Sequence, residues 1–161
     1  MTDQEFLKSL QSEDELGAVI RAHLYIEYLT ERLLTLVVQK PELLKPLNLD
    51  FDGKVSLLMA LGVDPDIKKP LSVLGGMRNK FAHRPNYKLN SSEINNLYKS
   101  LSPDDQQLVH SCYNDLRQLH PDIPDSPAFN KLSERDKFIL LAIAIRGVVV
   151  STIKELEGDY A

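Results

Sequence analysis

Apolar residues recur at helical spacing along the chain and are punctuated by helix start and stop signals almost throughout. Ser12-Glu13-Asp14-Glu15 has the form of a capping box, in which Ser12 caps free amides and Glu15 reaches back. It predicts a long amphipathic helix running to about Gln39, where Pro41 stops it. Asp52 is placed to cap a short helix over 53–61, and Gly62 to end it in left-handed backbone. Pro70 opens a helix that reaches His83 and must stop by Arg84, because Pro85 follows. Ser91 or Ser92 caps a helix to about Leu101. Ser102-Pro103-Asp104 starts another, to about His120, with proline at the first helical position and acids in the first turn. Residues 121–127 carry three prolines and read as an irregular crossover. Ser133-Glu134-Arg135-Asp136 caps a last long helix ending near Gly158, which absorbs the β-branched run Val148-Val149-Val150. The pattern predicts an all-α, bundle-like single domain spanning 1–161.

Composition agrees with one ordinary globular domain: 161 residues, 43% hydrophobic and 26% charged. The lone cysteine, Cys112, excludes an internal disulfide and a multi-cysteine zinc site. His110 and His120 flank it at spacings that do not suit a metal, so structural or surface roles are expected, with Cys112 a small buried hydrophobe. No metal and no cofactor is expected. The acidic amino terminus lacks the basic start and apolar core of a signal peptide, which makes a reducing cytoplasm the default location. The most apolar stretch, 138–153, is short for a membrane span and has Arg146 in its middle, so it reads as a core helix. Arg146 then needs a partner in a buried or interface ion pair.

Laid out at 100° per residue from Leu16, the first long helix places Leu16, Ile20, Val19, Leu34, Val37 and Val38 around a stripe centred near about 0°. Glu27, at about 20°, and His23, at about 340°, fall on that midline and are i, i+4 neighbours. A carboxylate there needs a cation or donor, and His23, Lys54 and Arg78 are the candidates. Two readings stand: a structural polar pair inside a bundle, or a carboxylate that orients a basic site residue.

Charge narrows the search. Lys plus Arg number 19 against 23 acids, a net charge of −4, which argues against a generic nucleic-acid coat. Yet 67–88 holds Lys68, Lys69, Arg78, Lys80, Arg84 and Lys88 and no acid, leaving the remainder of the chain strongly acidic. Such an island can draw in an anion or an acidic partner, or it can be a solvated helix face. Within it Asn79 and His83 share a helix face, and the long Arg78 can reach toward His83 at the frayed helix end. An imidazole at a helix C-terminus beside a fixed guanidinium suits metal-free phosphodiester cleavage. Gly75-Gly76 inside the same helix implies close approach by another helix, or else a mild kink.

Arg78-Asn79-Lys80-Phe81-Ala82-His83 resembles the RNxxxH signature of HEPN domains, small helical domains often found as dimers. The stretches from Gly17 through Glu27 to Leu34, then Phe51-x-x-Lys54 with Leu57 to Gly62, and Leu74 to His83 resemble the mannitol operon repressor family, which shares that arrangement. The similarity covers roughly residues 10 to 155. The resemblance implies an all-α, single-domain HEPN-like helical bundle and a homodimer. From the HEPN ribonucleases it implies a composite site across the dimer interface that uses Arg78, Asn79 and His83. From the mannitol repressor side it implies negative control of transcription. No helix-turn-helix reader is apparent: Asn95-Asn96 and Gln106-Gln107 sit among acids, so direct sequence-specific DNA binding is not expected.

Three functions follow as expectations. The leading one is a non-enzymatic repressor of the mannitol type, acting through a protein partner in transcription or sugar uptake or through an anionic ligand, with Lys68, Lys69, Lys80, Arg84 and Lys88 as its binding surface. The second is a metal-independent endoribonuclease acting on RNA, with His83 as general acid/base, Arg78 stabilising charge and Asn79 orienting substrate. In either, Glu27, His23 and Lys54 would support the site from behind. The third is a structural oligomerisation domain.

Overall fold

The computed structural model describes residues 1–119 and 128–158, except for the side chains of 112 and 115–119. The roles expected of Cys112, His120 and the 121–127 crossover lie outside the described residues. Seven α-helices are present among those described: α1 Asp3–Gln11, α2 Glu15–Val37, α3 Phe51–Ala60, α4 Lys68–His83, α5 Ser91–Ser100, α6 Pro103–Leu119 and α7 Glu134–Gly158. Short 3-10 turns sit in the connections, and no strand occurs among the described residues. The chain is thus an all-α single-domain bundle around one core. No described helix is long and apolar enough to cross a membrane.

Helix ends follow side-chain chemistry, though often one or two residues from where the sequence put it. The chain begins with a helix the pattern did not reveal: Thr2 and Glu5 form the capping box of α1. Ser12 therefore ends α1 instead of starting α2, whose cap is Asp14 accepting from the Gly17 amide at 2.7 Å. Glu15 is released from capping and accepts from the Leu89 amide at 3.1 Å. Asp50, not Asp52, caps α3, and Asn90, not Ser91 or Ser92, caps α5. Helix α4 starts at Lys68, so Pro70 lies in its first turn, where a missing amide costs nothing. Ser102, Ser133 and Gly62 act as expected: the two serines accept from the Asp105 and Asp136 amides, and Gly62 has φ 86°.

Helix α2 packs most extensively on α7, which is also covered by α1, α5 and α6. This packing corrects the predicted α2 stripe. Its buried residues include Ala18, Ala22, Ile26, Leu29 and Leu33, which centres the buried face near about 280°. Leu16, Leu24 and Tyr28 are exposed instead. The two alanines, fully buried, let a neighbouring helix come close, and aliphatic bulk alone misplaced the face.

Arg146 is 6% exposed and finds its partners on α1. Its guanidinium donates to the Asp3 carboxylate and, at 2.6 Å, to the Met1 carbonyl, and it lies over the Phe6 and Tyr25 rings. Arg135, in the first turn of α7, donates to the Gln11 and Glu13 carbonyls, both at 2.6 Å, at and just beyond the end of α1. Two arginines of the last helix thus hold the first.

The adjacent glycines of α4 separate. A Cβ on Gly75 would lie 2.9 Å from Phe51 Cδ1, whereas one on Gly76 meets nothing within 4 Å. The close approach is at Gly75, by α3 of the same chain. Gly75→Ala should destabilise by about 1–3 kcal/mol, because the ring must shift. Gly76→Ala should stabilise by about 0.5–1 kcal/mol through helix propensity alone, and urea unfolding of both variants checks the contrast. By the same measurement Arg146→Ala should cost about 2–4 kcal/mol, and Arg146→Met, which fills the space without needing acceptors, less than half as much.

Candidate functional site

Three helices meet at a corner away from α7. Helix α2 contributes His23 and Glu27, the start of α3 contributes Asp50, Phe51 and Asp52, and α4 contributes Gly75, Arg78 and Asn79. Together they line an open pocket of about 310 Å³. Gly75 makes the corner possible, since only a bare Cα lets the Phe51 edge rest on α4.

Rotation of α2 moves Glu27 from the predicted midline to the rim of the buried face, where it is half-buried. Lys54 Nζ donates to Glu27 Oε1 and to Glu31 Oε1, both at 2.6 Å. Burial disfavours the Lys54 ammonium, but its bonds to Glu27 and Glu31 outweigh that and raise its pKa, so it stays charged. The same ammonium stands between this pocket and a neighbouring cavity of about 440 Å³ lined by Leu34, Pro41, Leu44 and Leu49.

His23 is the unusual member. Its side chain is buried and lies against Phe51, with ring centroids 4.5 Å apart. Nδ1 is 3.7 Å from Glu27 Oε2, too far for a hydrogen bond, and has no other partner among the described residues. Burial pushes the imidazole pKa down. Glu27 and Asp52 act against that shift, while Arg78 and Lys54 reinforce it. The ring is therefore neutral at pH 7.

Arg78 and Asp52 both line the pocket and both act on His23, yet they do not pair. Among the described residues neither makes an ion pair, and the only side-chain bond of Arg78 goes from Nη1 to Asn79 Oδ1 at 3.1 Å. Asp52 is exposed and free because Asp50 has taken the capping task. Asp50, Phe51, Asp52 and Gly75 were not read as site residues. The Asp-Phe-Asp run before Lys54 is the signal in the sequence, and by pattern alone it marks only a helix start.

His83 lies elsewhere. It is exposed in the last turn of α4 and does not line the pocket that holds Arg78 and Asn79. Asn79 and His83 share a helix face, as their spacing requires, but Arg78 turns inward toward α2 and α3. The positive island is also spread out. Lys68 and Lys69 stand at the start of α4, while Arg84 and Lys88 follow its end, about 24 Å away for a sixteen-residue helix. Lys80 is engaged by Glu93, a buried carboxylate on α5, at 2.8 Å. Glu93 also accepts from the Tyr87 hydroxyl and, at 3.0 Å, from Asn90 Nδ2, and Arg84 stacks over Tyr87. His110 accordingly has a structural setting, 3.0 Å from the Tyr98 hydroxyl and against the Phe129 ring. No cluster able to hold a metal ion exists among the described residues.

No family model, curated protein or solved structure matches the chain.

A depressed imidazole pKa has a consequence for stability. Above the unfolded value of about 6.5 both folded and unfolded forms are neutral at His23 and nothing is lost. As pH falls below 6.5 the unfolded chain takes up the proton first, so this contribution declines until the folded pKa is passed. Stability measured by urea unfolding should fall between pH 7.5 and 5, and His23→Phe should flatten that part of the curve.

Proposed function

We propose that this chain is a non-enzymatic regulatory module of the mannitol operon repressor type, a dimeric helical protein that represses transcription through a partner. The observation that favours binding over cleavage is the separation of Arg78 from His83. The pocket around Arg78 is lined also by Asp50, Asp52 and Glu27 and does not include His83, which is exposed. Those carboxylates oppose a phosphodiester at Arg78, which favours recognition over cleavage there.

Deleting the gene should raise the transcript of a sugar-uptake operon several-fold, with restoration by the wild-type chain and not by Arg78→Ala. The purified chain alone should not retard that operon's promoter DNA. Unchanged transcripts across all sugar-uptake operons would overturn the reading.

A ribonuclease remains the second reading, favoured by one observation: His83 is exposed and free of partners among the described residues. Cleavage of single-stranded RNA in EDTA by the wild type, lost in His83→Ala at unchanged melting temperature, would put it in first place.

A further inference from the structure

We propose that the corner pocket is a binding site for a small zwitterion of the α-amino-acid kind, with its carboxylate on Arg78 and its ammonium on Asp52. This deepens the preceding reading and rests on its placing of recognition, not cleavage, at the pocket.

Charge is the first argument. A guanidinium and a carboxylate open into one cavity and make no ion pair among the described residues, and the buried imidazole of His23 lines the same cavity. Arg78 offers the planar fork that carboxylates accept in two parallel bonds. Asp52 offers an acceptor with no competing donor among the described residues, Asp50 capping α3 at 2.8 Å in its place. A ligand bearing one charge of each sign satisfies both poles at once. A simple anion meets Arg78 but also Asp50, Asp52 and Glu27, and phosphate or a nucleic-acid backbone is repelled there. A simple cation is opposed by Arg78 in turn.

The second argument is the orphaned nitrogen. His23 is buried at the pocket wall, and its Nδ1 lacks a partner among the described residues. A buried polar atom without a partner is costly, and sites that bind ligands are where such atoms recur. The ring itself lines the cavity, so a ligand that shifts it or Glu27 slightly can satisfy that nitrogen without adding net charge. Size is the third argument. A volume of about 310 Å³ corresponds to roughly ten waters and lies at the small end of ligand pockets.

The test uses the purified full-length chain at neutral pH and low salt. Each of the twenty common L-amino acids is offered at millimolar concentration and followed by melting temperature and titration calorimetry. At least one should raise the melting temperature and give a saturable heat. Its decarboxylated amine, its deaminated acid and uncharged D-mannitol should each bind at least about tenfold more weakly. Arg78→Gln and Asp52→Asn should each weaken the amino acid about tenfold or more while leaving the ligand-free melting temperature unchanged, since neither residue holds an ion pair. The proposal is overturned if no amino acid binds, if a singly charged analogue or the polyol binds as well, or if both variants bind like wild type. Binding is read without transcription. A silent operon with a bound amino acid sinks the repressor reading alone, and altered transcripts without binding sink this one alone.

Discussion

Helix α7 is buried over more than half its circumference and must be enclosed, and most of the bundle follows from that requirement. Four helices wrap it. One arginine lies within the enclosed surface, so whichever element covers that spot must bring acceptors. Helix α1 does so with Asp3 and the Met1 carbonyl, and Phe6 and Tyr25 supply ring faces. A short amino-terminal helix with two buried side chains is thereby fixed in place by the far end of the sequence.

The same demand sets the rotation of α2. Turning its alanines toward the crowded interior leaves Glu27 on a flank, where α3 can bring Lys54 to it. The carboxylate costs little there because it keeps a charged donor and some water. His23, one turn earlier, falls inside the boundary and loses its proton. Polar chemistry in this molecule therefore collects where the apolar wrapping ends, at the α2–α3–α4 corner.

Fold class and most helices were legible in the sequence because caps, prolines and Gly62 act locally. Ser102 and Ser133 have one competent acceptor position each and read correctly. Ser12 did not, because Asp14 two residues later is an equally good cap and the choice depends on where α1 ends. That helix was hidden by its shortness: only Phe6 and Leu10 are buried, too few to show a period. The partnership of Glu27 with Lys54 was readable as a need but not as a choice, since three cations competed for it. The pocket was not readable. It depends on which of two aspartates caps α3, a difference settled by backbone geometry and not by residue type. Arg146 was the clearest success, for a buried guanidinium admits few environments.

Glu93 stiffens a loop from the helix that follows it. Lys80 before the loop, Tyr87 within it and Asn90 at its end all donate to one buried carboxylate, so the turn from α4 to α5 is pinned at three points. Arg84 and Lys88 ride on that pinned frame, and Arg84 is further steadied by the Tyr87 ring. A surface whose backbone is already fixed loses less freedom when something docks on it. The acidic anchor beneath the turn thus preorganises the basic groups displayed above it.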